Sequence, residues 1–302
     1  KQGGKRMHYG AITNQQRREL RQHGTPLFPV GWYHETLVRH GIPWHWHEEL
    51  EAVVVEKGTA MLVIDGQKHT IAQGEGVFLN AGVLHSACAA DGGKCVLRTL
   101  VFHPRLVGGV ESIFWEKYLR PLVNDRAARW FHLDGSMPWH TRALETIVTA
   151  WEGFRDREPG YEFLVRGQLS GLVFLVWQNS QQKQTPPPEK LVRDMERIKK
   201  MLQYIDEHLA DELTGAAIAA SAGLSESECL RCFRTMVNTT PIQYVKKLRL
   251  QRAALLLEKT DWKVSDIAAQ CGFQEMSYFS KSFRLWTGFA PSEYRERAKS
   301  EA

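Results

Sequence analysis

The second half of this 302-residue chain repeats itself, and no other feature restricts its fold as tightly. Laying the segment from Gly215 over the segment from Ser265 aligns Ile218 with Ile267, Ala219 with Ala268, Gly223 with Gly272 and Leu224 with Phe273, at a constant offset of 49 residues. One inserted residue shifts the register, so that Phe233 meets Phe283, Pro241 meets Pro291 and Tyr244 meets Tyr294 at an offset of 50. Each copy reads as a short helix, a turn containing Gly, and a second helix with Arg or Lys on its polar face. Ala219 and Ala268 are small where two helices must approach closely. Gly223 and Gly272 supply the positive φ of a tight turn. Ser225-Glu226-Ser227-Glu228 matches a capping box, which gives Ser225 and Glu228 a structural role at the start of the second helix.

On that helix Cys229, Cys232 and Phe233 form the inward stripe and leave Ser227, Leu230, Arg231 and Arg234 outward. In the second copy Phe279 and Phe283 point inward, with Met276, Ser277, Ser280, Lys281 and Arg284 outward. A solvated amphipathic face would carry the same pattern. Two copies joined by one long helix, Ile242 to about Glu258, favour DNA instead, because such a spacer can place two recognition helices in successive major grooves about 34 Å apart.

The stretch from Leu213 to Arg295 resembles the DNA-binding domain of AraC/XylS-type transcription regulators. The likeness is carried above all by Ile267-Ala268-x-x-Cys271-Gly272-Phe273-x-x-x-Ser277-Tyr278-Phe279-Ser280-Lys281-x-Phe283 and Thr287-Gly288-x-x-Pro291-Ser292-x-Tyr294-Arg295. The resemblance implies double-stranded DNA as a partner and base contact by Ser227, Leu230, Arg231, Met276, Ser277, Ser280 and Lys281. From Lys190 onward 18 Lys and Arg face 15 Asp and Glu, so bulk charge contributes little. Binding must rest on the placement of Arg231, Arg234, Lys246, Lys247, Arg249, Arg252, Lys281 and Arg284.

Upstream, Gln181 to Pro188 is a polar run ending in three prolines and reads as a semi-rigid linker. Before it, strand-like segments alternate with turn signals: Glu51 to Glu56, Lys57-Gly58, Ala60 to Ile64, Asp65-Gly66, His69 to Ile71. That pattern predicts an antiparallel sheet closed into a small barrel or sandwich. Between Leu106 and Asn179 the period becomes helical, with Leu144, Ile147, Val148 and Trp151 on one face. Phe163 to Trp177 is apolar nearly all round, which predicts burial on more than one side, against the sheet or against a second copy. After the linker, Leu191, Met195, Ile198, Leu202, Ile205 and Leu209 step by three and four along one further helix.

A mean hydropathy of -0.36 and 24% charged residues fit a globular chain rather than a membrane protein. The apolar run Leu172 to Trp177 is far shorter than the roughly 18 residues of a membrane span. The basic start Lys1 to Arg6 lacks a following apolar region, so the residues before Met7 read as an expression remnant and the location as cytoplasmic. The 5 cysteines, an odd number with scattered spacing, are expected as reduced thiols. Cys229-x-x-Cys232 lacks partner ligands at zinc-finger spacing.

His45, His47 and Glu51 share parity, which predicts that all three point to one face of a single strand. His45-x-His47-x-x-x-Glu51, Gly58, and then Gly74, Asn80, Gly82 and His85, resemble the two cupin motifs, with Asn80 where that family prefers Pro. Three histidines and a carboxylate converging inside a barrel can hold a divalent transition metal. They can equally hydrogen-bond a polar small molecule such as a sugar, with Trp32, Tyr33, Trp44 and Trp46 nearby, or form a satisfied polar core.

The expected architecture is α+β in two domains: a cupin-like antiparallel β-barrel with a helical extension, then an all-α domain with two helix-turn-helix units. The expected divisions are an N-terminal extension 1–31, an effector-binding barrel 32–105, a helical dimerisation region 106–180, a linker 181–190 and a DNA-binding domain 191–302. The expected function is that of a sequence-specific transcription regulator, not an enzyme, answering to a small-molecule effector held by His45, His47, Glu51 and His85. Family resemblance and the aromatic surroundings suggest a carbohydrate. The alternative is a divalent metal at the same four residues, in a metal-sensing regulator or a metal-dependent cupin enzyme. A homodimer is expected, and RNA polymerase is a further partner if the output is activation.

Overall fold

A computed structural model describes residues 23–37, 41–64, 66–90, 93–180 and 187–300. The chain divides into two compact units, with the sequence boundary after Val192. The expected N-terminal extension up to residue 22 and residues 181–186 of the expected linker lie outside the described residues.

The first unit is built on two antiparallel sheets. One contains β1 (Val30–Leu37), β8 (Cys95–Phe102), β3 (Leu50–Lys57), β6 (Gly76–Leu79) and β9 (Trp130–Leu133), in that order. The other contains β2 (Ile42–His45), β7 (His85–Ala89), β4 (Ala60–Ile64) and β5 (Gln67–Ile71). The apolar run Ala52-Val53-Val54-Val55 suits a strand covered on both faces. Its residues do divide between two cores. Val53 and Val55 join Leu62, Ile64, Val77, Leu79 and Leu97 between the sheets. Ala52 and Val54 join Phe78, Leu100 and Phe102 under the helices. β4 and β7 alternate buried and half-buried positions instead, as strands with one wet face do.

Three helices follow: α1 (Arg120–Asn124), α2 (Pro138–Asp156) and α3 (Tyr161–Ser180). Pro138 starts α2 where its missing N–H costs nothing, and Arg157 ends it in the left-handed conformation. α2 lays Ala143, Ile147, Ala150, Trp151 and Phe154 onto the outer face of the larger sheet. Trp151 also donates its indole N–H to the Tyr33 carbonyl at 2.8 Å. The segment 106–180, expected to be helical, also carries β9, which extends the larger sheet beyond β6.

Within one chain α3 is buried on one side. Val165, Leu169, Leu172, Val173 and Val176 are buried, yet Phe163 is 83% and Phe174 52% exposed. α2 packs along the buried stripe of α3, with Tyr118 edge-on against Trp177 at 4.9 Å.

The second unit is helical: α4 (Glu189–Glu207), α5 (Gly215–Ser221), α6 (Glu226–Met236), α7 (Pro241–Lys259), α8 (Val264–Gln270), α9 (Met276–Thr287) and α10 (Pro291–Ser300). The two repeats form α5–α6 and α8–α9. Gly223 and Gly272 make their turns with φ of 66° and 80°, conformations costly for any residue with a side chain. Ala219 and Ala268 are buried at the helix contacts. α7 carries the second repeat on Leu250, Ala253, Ala254 and Leu257, which pack with Ile267, Phe273, Phe279 and Phe283.

Candidate functional site

Helices α6 and α9 present the polar faces that the repeat predicts. Cys229, Cys232 and Phe233 are buried, while Ser227, Arg231 and Arg234 are exposed and Leu230 is half-buried. On α9, Phe279 and Phe283 are buried, Met276, Ser277, Lys281 and Arg284 are exposed, and Ser280 is half-buried. The start of α6 is fixed by the expected capping box. Ser225 Oγ accepts from the Glu228 N–H at 3.3 Å, and the Ser225 N–H donates to Glu228 Oε2 at 3.0 Å. Hydrogen bonds from Ser225 hold the Glu228 carboxyl below its usual range.

Two cations on α7 have other partners. Arg249, counted above among the DNA-facing charges, is turned into the protein. Its Nε donates to the Leu209 carbonyl at 2.9 Å and its terminal nitrogen to the Asp211 carbonyl at 2.6 Å. Gly272 lies against this pairing, where a Cβ would come within 2.6 Å of the Leu209 oxygen. Lys246 Nζ sits 4.9 Å from the centroid of the Tyr278 ring, a cation–π contact between α7 and α9 that helical periodicity does not reveal. Lys247 and Arg252 remain on the surface.

In the first unit His45, His47, Glu51 and His85 converge, with one candidate ligand atom from each lying within 4.8 Å of the others and all four residues buried. The route differs from the expected single strand. His45 ends β2 in the smaller sheet, His47 lies in the connection that follows, and Glu51 is the second residue of β3 in the larger sheet. His85 opens β7 and pairs with His45. The bend at Glu48-Glu49 carries the chain from one sheet to the other, so the four groups meet between sheets.

The hydrogen bonds set the chemistry of the cluster. His45 Nδ1 lies 2.9 Å from the Pro43 carbonyl, His47 Nδ1 3.0 Å from the Glu49 carbonyl, and His85 Nδ1 2.9 Å from the Val83 carbonyl. A carbonyl oxygen only accepts, so each Nδ1 donates its hydrogen to it. His47 Nε2 and His85 Nε2 then stand 3.1 and 3.0 Å from Glu51 Oε2. A ring nitrogen this close to a carboxylate oxygen needs a proton or a metal ion between them, because two facing lone pairs repel. Burial pushes the Glu51 carboxyl up, but His85 charge and hydrogen bonds from His47 and His85 outweigh it and hold it well below the usual range.

An internal cavity of about 20 Å³ opens beside the cluster. Its polar lining is His45, Glu51, His85, Glu35 and Thr99, and its walls include Val53, Leu62, Leu79 and Leu97. Glu35 and Thr99 belong to no motif and were not among the expected site residues. The aromatic residues expected around the pocket divide differently. Trp32 packs edge-on against Trp151 at 5.3 Å, and the Tyr33 hydroxyl pairs with His23 Nδ1 at 2.7 Å. Asn80 is buried and pins α1 and the 128 region to the loop before His85, its Nδ2 donating to the Leu122 carbonyl at 2.7 Å and the Ala128 carbonyl at 2.9 Å.

Residues 32–133 match the AraC-like ligand binding domain family and residues 218–297 a helix-turn-helix domain family. With the geometry of α5–α6 and α8–α9, this defines a helix-turn-helix transcription regulator carrying its own ligand-binding domain. The chain is 30% identical over 290 residues to the HTH-type transcriptional regulator YdeC of Bacillus subtilis (strain 168), covering 94% of this chain and 98% of that one. It is 26% identical over 284 residues to the HTH-type transcriptional activator RhaS of Escherichia coli (strain K12 / DH10B), covering 91% and 96%. The crystal structure of unsaturated fatty acid bound ToxT from Vibrio cholerae aligns with a TM-score of 0.45 at 16% identity, over 91% of this chain and 97% of that one. The protein belongs to the AraC family of transcription regulators, and its relatives are regulators rather than enzymes. No helix among the described residues is long and apolar enough to cross a membrane.

Proposed function

We propose that DNA binding by this regulator answers to a divalent transition-metal ion held by His45, His47, Glu51 and His85. The observation that carries the reading is the convergence of His45, His47, Glu51 and His85, each with a candidate ligand atom within 4.8 Å of the others, while each Nδ1 pairs with a backbone carbonyl. Metal-binding histidines are usually oriented by such a bond from the other ring nitrogen. Mixed imidazole and carboxylate ligands suit zinc, iron, nickel or copper. The ion would take the place of the protons between these ring nitrogens and the Glu51 carboxylate.

The carbohydrate expected from the sequence has less support. An ordered water needs roughly 10–15 Å³ of such space, so a cavity of about 20 Å³ has room for a water-sized guest. Trp32 is committed to packing under α2. The cheapest test is metal content. Protein purified without chelator should retain near-stoichiometric metal, and a chelator should lower its melting temperature, since a ligand at about 100 times its Kd stabilises by about 2.7 kcal/mol. Metal-free protein that gains no stability from Mn, Fe, Ni or Zn would remove the reading.

On the DNA side, Ser227, Leu230, Arg231, Met276, Ser277, Ser280 and Lys281 contact bases, and Arg234, Arg284, Lys247 and Arg252 contact phosphates. The exposed faces of α6 and α9 support this assignment. The exposed apolar stripe of α3, with Phe163 and Phe174 separated by Gly167 and Gly171, supports a homodimer through that helix. Phe174→Glu should then give monomers in sedimentation, whereas an unchanged mass would move the interface elsewhere. The RhaS relatives are named transcriptional activators, which favours activation here, with RNA polymerase as partner and the cytoplasm as the place of action.

A further inference from the structure

Both helix-turn-helix repeats pack on α7. The first meets it through Phe233 of α6, whose ring lies 5.9 Å from that of Tyr244, and the second through the core that includes Leu250, Ala253, Ala254 and Leu257. Packing along a single helix leaves each repeat a way to pivot about that helix. Lys246 and Arg249, three residues apart and so neighbours on one face of α7, add ties away from its axis. Lys246 reaches forward to the ring of Tyr278 on α9. Arg249 reaches back to the Leu209 and Asp211 carbonyls, in the segment between α4 and α5.

That segment is shaped to receive it. His208 Nδ1 lies 2.8 Å from Asp211 Oδ2, and the Asp211 N–H donates to the His208 carbonyl at 2.9 Å. A few residues on, Thr214 Oγ1 caps α5 by accepting from the Ala217 N–H at 3.1 Å. The turn of the second repeat closes on the same place. A Cβ on Gly272 would stand 2.6 Å from the Leu209 oxygen and 2.8 Å from the Arg249 guanidinium carbon, so glycine lets the α8–α9 turn seat against the entry to α5. Burial pulls the Arg249 guanidinium down from its usual pKa, yet arginine stays charged in proteins. A half-buried cation is therefore committed to two neutral carbonyls that join one repeat to the other.

Resting on base contact by both α6 and α9, we infer that Arg249 is a positioning residue for DNA recognition. With Lys246 and Gly272 it fixes the separation and angle of the two recognition helices, so the protein accepts an operator whose two contact sites stand at one spacing. B-DNA turns once in about 10–10.5 base pairs, so one inserted pair swings the far site by about 35°, and a locked pair of helices cannot follow. The planar fork of arginine serves two carbonyls at once, whereas a lysine ammonium offers its donors from one atom.

The test uses the full chain and an operator selected from random duplexes, with footprinting to place its two contact sites. The spacer between them is lengthened or shortened by one and two base pairs. Fluorescence anisotropy at one fixed salt concentration then gives Kd for wild type, Arg249→Ala and Arg249→Lys. Wild type should lose about tenfold in affinity for a one-base-pair change, the order of a single mismatched pair. Arg249→Ala should flatten that penalty, and Arg249→Lys should fall between the two. Lost stability alone lowers affinity equally on every spacer, so the ratio between spacers separates positioning from folding. Arg249→Lys carries the comparison if the alanine variant melts below the assay temperature. Folded Arg249 variants that keep the wild-type ratio, or a wild type indifferent to spacing, would overturn the inference while leaving base contact by both helices intact. A footprint with one contact site would remove that two-helix reading as well.

Discussion

Replacing Asn80 with Ala removes three hydrogen bonds at once. The Nδ2 group serves the Leu122 and Ala128 carbonyls, and Oδ1 accepts from the Ala81 N–H at 2.8 Å. Ala81 is half-buried and can recruit water, and the Leu122 carbonyl keeps the Asp125 N–H at 3.1 Å, but Ala128 is buried. Stranding a buried polar group costs about 1–3 kcal/mol, so the Ala128 carbonyl predicts a loss of about that size. Against a typical domain stability of about 5–15 kcal/mol that is a large fraction. Asn80→Asp is the sharper probe: at neutral pH its carboxylate faces two carbonyl oxygens and should destabilise at least as much as Ala. Part of that loss should return when acid protonates the carboxyl, because an O–H can again donate. Urea unfolding followed by tryptophan fluorescence reads the effect, since eight of the ten tryptophans precede the boundary after Val192. The loop pinned by Asn80 also ties Gly82 N–H to the His47 carbonyl at 2.7 Å, so the same variant should weaken metal retention. A loss below about 0.5 kcal/mol for Asn80→Ala, within the range of ordinary surface changes, would refute the reasoning.

Other expectations concern the second unit and the thiols. Ser225→Ala should cost about 1 kcal/mol by removing the cap of α6, measurable as a lower denaturation midpoint of the DNA-binding unit. Lys281→Ala should lose about 1–3 kcal/mol of binding on a specific site with little change on random duplex, if it reads a base edge. An equal loss on every duplex would make it a phosphate contact. Burial pushes the Cys95 and Cys229 thiols up to about 11 and those of Cys232 and Cys271 to about 12. A thiol reagent in mildly alkaline buffer should therefore label half-buried Cys88 first and the other four only on unfolding.

The helix-turn-helix units were legible because several signals agree: a glycine at each turn, a small residue at each crossing and an apolar stripe in both, with a capping box in the first. Arg249 was misread because helix periodicity places it among surface cations, whereas its role depends on carbonyls of Leu209 and Asp211, 40 and 38 residues away. The histidine cluster was found by its motif but for the wrong geometric reason. Parity put His45, His47 and Glu51 on one strand, and the bend at Glu48-Glu49 moves them to two sheets while still aiming them together. Glu35 and Thr99 could not be found from the chain alone. Tyr33-His34-Glu35-Thr36 and Arg98-Thr99 are polar on both parities, and only the pairing of β1 with β8 decides which face is inside. The strand β9 is short and lies among helical segments, so its place in the sheet comes from pairing with β6 rather than from local pattern.

The central claim is that the metal site and the DNA-binding unit are coupled. It is tested most directly by fluorescence anisotropy with an operator selected from random duplexes, comparing metal-stripped and metal-loaded full-length protein at one fixed salt concentration. Coupling free energies between sites are commonly about 1–3 kcal/mol, so specific affinity should change by roughly 5–150-fold on loading. His45→Ala should abolish the change while keeping the metal-free affinity. Identical operator affinity with and without bound metal would contradict the account.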